Sequence, residues 1–255
     1  MYISTERLAL ANREVRDTFR NSSIAWQAIP HWDTGDPGQT RVPNGDLKSP
    51  NFVKVRPLER SFQVSLAQAN APTPDPLLTE VIAATVKLAS KFDNNILPNL
   101  YTAGTPDATG VSPQALLNKL IDARAAVEDA GYRAPSCLIV NRRALKALNT
   151  LVGGQSVLDQ LLVAANINSL HRATRLRPGS SARARLVLIG RRQRIAHGSA
   201  AGASPGEEPV DLAVSVMPSI EIIGETPTGE IELSVRIRFA TRIKDNDGLD
   251  SKYKK

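Results

Sequence analysis

With one cysteine in 255 residues, the chain cannot form an internal disulfide. Cys137 lies in the apolar run Cys137-Leu138-Ile139-Val140, where burial would keep it a thiol, so it is read as a core residue and a reducing compartment is expected. Histidine is nearly as scarce, with three residues. His31, His171 and His197 each stand alone, and no pair of ligand residues has metal spacing. There is no Gly-x-Gly-x-x-Gly turn and no P-loop, and Gly153-Gly154 reads as a break between two helices rather than a phosphate cradle. No catalytic, cofactor-binding or metal-binding residue is therefore expected, and the chain is not expected to be an enzyme. No apolar run approaches the roughly 18 residues of a membrane-spanning helix. Residues 1–20 carry charge throughout, which predicts a soluble protein with no signal peptide and no membrane partner. Aromatics make up only 4%, with no basic stretch interleaved by Phe or Tyr, so base-specific reading of nucleic acid is not expected.

What is present is a sizeable apolar fraction, 42%, and a formal net charge of +7. The first suffices for one large domain or two small ones. The second attracts polyanions at low salt without naming one. Asp33 and Asp36 are the one close pair of acids, and Asp33-Thr34-Gly35-Asp36-Pro37-Gly38 reads as two turns whose carboxylates bond local backbone.

The strongest pattern runs from Ile231 to Ile243. Ile231, Leu233, Val235, Ile237, Phe239 and Ile243 share one face with Thr241, and Glu232, Ser234, Arg236, Arg238, Ala240, Arg242 and Lys244 share the other. As a strand this spans about 43 Å, close to the roughly 46 Å diameter of a compact sphere of this length. Such a strand implies an elongated subunit covered by neighbours. Four cations on one strand face, Arg236, Arg238, Arg242 and Lys244, admit three readings: a surface for a polyanion, salt bridges to a neighbouring strand or subunit with Glu221 as one partner, or a solvated face. Arg191-Arg192-Gln193-Arg194 reads as a solvated charge run that could also meet nucleic acid.

Elsewhere the pattern predicts a helix over 5–19 capped by Ser4 or Thr5, then a segment over 24–39 that is ordered only if Trp26 and Trp32 find a surface. The proline-rich stretch 41–76 has two short extended runs, 52–55 and 61–66, and reads as a two-stranded arm lying on another subunit. A long helix begins at Asp75-Pro76 and closes at Pro98, and a second, opening at Ser112-Pro113, presents Leu116, Leu117, Leu120, Ile121 and Val127 and ends at Gly131. Strands over 137–140 and 186–189 and helices over 143–151 and 157–165 follow. After a Gly/Ala/Ser-rich loop over 196–208 come strands over 211–217 and 220–225, the latter turning through Thr226-Pro227-Thr228-Gly229 into the long strand.

This order of elements resembles the HK97-type major capsid proteins of tailed bacteriophages, whose fold is shared with the encapsulins. The stretch Ala25-Trp26-Gln27-Ala28-Ile29-Pro30-His31-Trp32-Asp33-Thr34-Gly35-Asp36 resembles the arms of actinobacterial phage capsid proteins, and Leu233 to Ile243 resembles the last long strand of the family. The resemblance implies an α+β fold with an N-arm over 1–40, an extended E-loop over 41–74, a P-domain over 75–133 and 209–244 with its spine helix over 76–97, and an A-domain over 134–208, with a tail over 245–255. It implies a shell subunit whose partners are identical copies in pentamers and hexamers, with double-stranded DNA held non-specifically inside. Scaffold, portal and decoration proteins are further partners it allows, and the place of action would be a virion capsid made in bacterial cytoplasm. Trp26, Trp32, Lys48, Phe52, Lys54, Arg56 and Arg60 are then candidates for inter-subunit contact. Lys48 and Lys54 fall where some relatives cross-link, but nothing in the sequence marks an Asn partner or a catalytic Glu, so no cross-link is expected. The rivals are an encapsulin-type compartment holding an enzyme and, from another class, a monomeric basic enzyme or nucleic-acid-binding protein.

Overall fold

The computed structural model of the chain describes residues 3–44, 51–103, 105–109, 113–149, 151–152, 155–156, 158–176, 184–191 and 208–254. In chain order the elements open with α1 (Thr5–Ser22), α2 (Ile24–Ala28), β1 (His31–Asp33), β2 (Arg41–Pro43), β3 (Phe52–Lys54), β4 (Arg56–Val64), α3 (Leu66–Ala69) and α4 (Asp75–Ala103). They continue with β5 (Thr105–Thr109), α5 (Pro113–Asp129), β6 (Arg133–Val140), α6 (Arg142–Leu148), β7 (Leu151–Val152), β8 (Gln155–Ser156), α7 (Leu158–Ala164), β9 (Ile167–Arg172) and β10 (Arg185–Arg191). Three long or terminal strands finish the chain: β11 (Val210–Glu225), β12 (Ile231–Ile243) and β13 (Leu249–Lys254). Contacts divide the chain into two units, one of Met1–Gln27, His31–Asp93 and Leu212–Thr241, the other of Ala28–Pro30, Asn94–Asp211 and Arg242–Lys255.

In the first unit the sheet order is β1-β11-β12-β4. The alternation expected of β12 is present: Ile231, Leu233, Val235, Ile237 and Phe239 are buried. On the opposite face Ser234 and Ala240 are buried as well, so that face is only partly polar. The Thr226–Gly229 turn forms as expected, with the Gly229 N–H donating to the Thr226 carbonyl at 2.9 Å and Gly229 at φ 81°, a value suited to glycine. Two strands expected before that turn are one, β11, which runs through Pro218. Beyond the three β11 residues, Leu212 to Val214, that pair with β1, Asn12 of α1 accepts the Ile220 N–H at 3.0 Å.

Helix α1 is capped by Ser4, whose hydroxyl accepts the Arg7 N–H at 3.3 Å, and buries Ala11, Val15 and Phe19 along one stripe. Helix α2 starts almost at once because α4 supplies its cap. The Asp93 carboxylate accepts the Ile24 and Ala25 N–H groups, both at 2.9 Å, and the Ser23 hydroxyl at 2.6 Å. Phe92, its neighbour, sits among Phe19 at 5.2 Å, Trp26 at 6.1 Å and Phe239 at 4.5 Å between ring centroids. These aromatic contacts weld the α1–α2 corner to α4 and to the long strand.

Helix α4 does not close at Pro98 but continues to Ala103. Leu97, Leu100 and Tyr101 are all buried, and burying that extra turn offsets the hydrogen bond the proline removes. At 29 residues the helix is about 44 Å long.

In the second unit a five-stranded sheet runs β5-β13-β10-β6-β9. Leu138, Val140, Leu186 and Leu188 meet Leu120 and Val127 of α5, Ala144 and Leu148 of α6 and Leu161 of α7 in one core. Cys137 is buried, as expected. Helix α6 ends at Leu148, so Leu151, expected in that helix, begins a small hairpin of β7 and β8 instead. Ile121, expected on the buried face of α5, is exposed, the Leu116 side chain lies outside what is described, and Gly131 ends the helix at φ 88°. Strands β5, β9 and β13 had no counterpart in the sequence reading. Gly190 and Gly248 let β10 meet the turn before β13: the Gly190 N–H donates to the Gly248 carbonyl at 3.0 Å, and a Cβ on Gly190 would lie 2.1 Å from Val127 Cγ1.

Candidate assembly surfaces

The stretch expected to form one two-stranded arm is divided. Strands β2 and β3 pair antiparallel, Arg41 with Lys54 and Pro43 with Phe52, as a short ribbon. Strand β4 instead joins the sheet of its own unit, pairing with β12 from Ile231↔Val64 to Phe239↔Arg56. The second run, 61–66, is thus the end of a sheet strand, to Val64, and the cap and first residue of α3, not half of the ribbon. The cause is the apolar set Leu58 and Val64, which is buried, while Arg56, Glu59, Arg60 and Ser61 are exposed. Strand β4 is the last of its sheet among the described residues, with a charged outer surface of the kind that discourages promiscuous pairing.

Both tryptophans find cover inside the chain. Trp26 is 8% exposed, packs edge-on against Phe19 at 5.4 Å and stacks on His31 at 3.8 Å. Trp32, half-buried in β1, packs against the cluster of Val42, Val55, Ala213 and Ala240. That cluster also roots the β2–β3 ribbon. The rest of the expected contact set stays on the surface: Phe52 is 60% exposed, and Lys54, Arg56 and Arg60 are exposed. Lys48 lies outside the described residues.

The four cations of the long strand have partners within the chain. Arg236 pairs with Glu221, the partner anticipated from sequence. Arg238 donates to the Pro37 carbonyl and to that of Gln39 at 3.3 Å, holding the turn that follows β1. In that turn Asp33 accepts the Gly35 N–H at 2.8 Å and Asp36 the Gly38 N–H at 2.7 Å, as the two-turn reading requires.

Arg242 and Lys244 converge on Asp211, whose side chain is 1% exposed. Arg242 Nε is 2.6 Å and Lys244 Nζ 3.2 Å from its carboxylate oxygens. Nearby Glu208 is raised above the usual carboxylate range, chiefly by burial, with Lys244 pulling the other way. Sequence reasoning passed over Asp211. The signal was an acid at the head of the apolar strand Asp211-Leu212-Ala213-Val214, where a buried charge needs cationic partners. Of the run 191–194, only Arg191 is described.

Among the described residues no group of three or more His, Cys, Asp or Glu could hold a metal ion, and no helix is long and apolar enough to cross a membrane.

No protein-family model and no curated protein sequence matches the chain. Solved structures do. A virus-like particle from Pyrococcus furiosus aligns at TM-score 0.68 and 13% identity, covering 97% of this chain and 99% of that one. The holo-SrpI encapsulin complex from Synechococcus elongatus aligns at TM-score 0.56 and 13% identity over 91% and 88%. A chain of Microbacterium phage Oxtober96 aligns at TM-score 0.62 and 11% identity over 92% and 91%. With its spine helix, its paired long strands and its mixed α+β make-up, this chain has the HK97-type fold that phage capsid proteins and encapsulins share.

Proposed function

We propose that the chain is a structural shell subunit that assembles with identical copies into a closed icosahedral particle, and that the particle is a phage capsid around double-stranded DNA. The observation that carries this reading is the near end-to-end alignment with a virus-like particle, 97% of one chain on 99% of the other. The surplus of basic residues fits an interior that meets DNA through phosphate attraction, without base reading and with strong salt dependence. Coverage borrowed from neighbours falls on the β2–β3 ribbon with exposed Phe52, and on the edge strand β4.

A second reading, a compartment enclosing a cargo enzyme, is favoured by the alignment with an encapsulin complex. Cargo separates the two. Particles made beside the rest of the phage genes should carry DNA with portal and tail proteins, whereas a single co-purified enzyme would replace the capsid reading by the compartment.

The assembly surface is tested by Phe52→Glu. The side chain is exposed, so circular dichroism should be unchanged, while mass photometry should show the population shifted from particles to free subunits or capsomers. Unaltered assembly of this variant would remove the ribbon from the interface.

A further inference from the structure

We propose that a basic pocket in the second unit, at the ends of β6 and β9, binds a compact polyphosphate anion, either inorganic or carried as the triphosphate of a nucleotide. The two strands are parallel neighbours, with Val140 opposite Arg172. The Ala173 N–H donates to the Val140 carbonyl at 2.8 Å, which fixes the two exits side by side. From the β6 exit come Asn141-Arg142-Arg143 and, one turn on, Lys146; from the β9 exit come Arg172 and Thr174.

The frame beneath them is hydrogen-bonded. Asn141 is buried, and its Oδ1 accepts the Ala144 N–H at 2.9 Å and the Arg185 N–H at 3.1 Å, tying the start of α6 to β10. Above this anchor Asn141, Arg142, Arg143, Lys146, Arg172 and Thr174 line a cavity of about 660 Å³. Its size falls within the roughly 300–1,000 Å³ typical of small-ligand sites.

Charge identifies the occupant. Of the six described lining residues four are cations and none is an acid. Among the described residues none of the four has an ion-pair partner, whereas Arg236, Arg242, Lys244, Arg124 and Lys119 all do. Arg142 and Lys146, four residues apart on one helix, repel each other when left alone. Convergent like charges in a concave site focus the potential on whatever enters it.

Guanidinium forks match phosphate oxygens two at a time, Lys146 adds a point charge, and the Thr174 hydroxyl can donate. A triphosphate, bearing about four negative charges near neutral pH, matches the four cations. A carboxylate ligand would neutralise one. A duplex spreads its charge along a rod at one per about 1.7 Å, so a cavity of this size can engage few of its phosphates.

The test is calorimetric titration of sodium tripolyphosphate, and separately of ATP, into the purified full-length protein at about 0.15 M salt. Saturable binding is expected, weakened about tenfold or more by R143Q/R172Q and unchanged by R16Q/K87Q, which removes the same charge from α1 and α4. Binding of both probes in mutual competition identifies the triphosphate as the recognised group, and binding of tripolyphosphate alone identifies the inorganic form. Absence of saturable binding, or equal loss in both variants, overturns the proposal. So does a short DNA duplex that binds more tightly than tripolyphosphate and loses as much in R143Q/R172Q. If that variant misfolds, the unaltered protein still decides. Saturating tripolyphosphate should slow acetylation of Lys146 about fivefold relative to Lys87, and equal rates would refute the site.

Discussion

Replacing Asp211 by asparagine should remove about 3–5 kcal/mol from the stability of the subunit. The carboxylate is 1% exposed and faces Arg242 and Lys244, themselves only 11% and 17% exposed, so the substitution strands two cations where water reaches poorly. Coulomb's law at an effective dielectric of about 20 gives roughly 5 kcal/mol for each cation at about 3 Å. Part of that is returned because the native carboxylate also loses hydration and feels the repulsion of Glu208. For a protein of this size the remaining loss lowers the melting temperature by about 6–20 °C. The assay is guanidinium unfolding of dissociated subunits followed by circular dichroism, with a thermal scan in parallel. Added salt should change the difference little, since the pair is shielded from solvent. Combining Asp211→Asn with Arg242→Gln should cost less than the sum of the single changes, with a coupling of about 2 kcal/mol. A single variant within about 0.5 kcal/mol of the parent, the ordinary range for surface changes, would refute the view that Asp211 holds the ends of β11 and β12 together.

Phe92→Ala should cost about 3–5 kcal/mol in the same unfolding assay, because one fully buried ring contacts Phe19, Trp26 and Phe239; a loss below about 1 kcal/mol would show the cluster able to collapse. Burial raises the Asp93 carboxyl above its usual range despite its hydrogen bonds from Ser23, Ala25 and Ile24. The folded state therefore holds that proton more tightly than the unfolded chain, and the group's contribution is present below its unfolded value and lost as pH rises through the folded one. The stability of the parent relative to Asp93→Asn should accordingly increase from about pH 7 to pH 4, and a constant difference would contradict the assignment. Burial likewise raises the Cys137 thiol, so iodoacetamide at pH about 8 should label it only after unfolding; rapid labelling of native protein would place it at the surface.

How much of this could be read beforehand depended on whether the deciding interaction was local. Alternation from Ile231 to Phe239 is a property of consecutive residues, and β12 follows it. The cap of α1, the turn at Gly229 and the core position of Cys137 are local in the same sense. Pro98 misled because it is a strong local signal overruled from elsewhere, by burial of Leu97, Leu100 and Tyr101, and Pro218 because β11 runs on through it. The tryptophans announced that they needed a surface, but a sequence does not say whose; Phe92, more than sixty residues away, was the answer for Trp26. Strand β4 was hidden because an edge strand with Arg56, Glu59 and Arg60 outward barely alternates. The basic pocket had half of its signature in plain view at Arg142-Arg143 and Lys146, and the other half, Arg172, joins only through the pairing of β6 with β9.

The central claim is that this subunit completes itself in a shell of its own copies, and cryo-electron microscopy of the purified unmodified protein addresses it most directly. Closed icosahedral particles in which the ribbon carrying Phe52 rests on a neighbouring subunit are the predicted outcome. Only a dispersed 27.5 kDa monomer at every concentration and salt tried would contradict it.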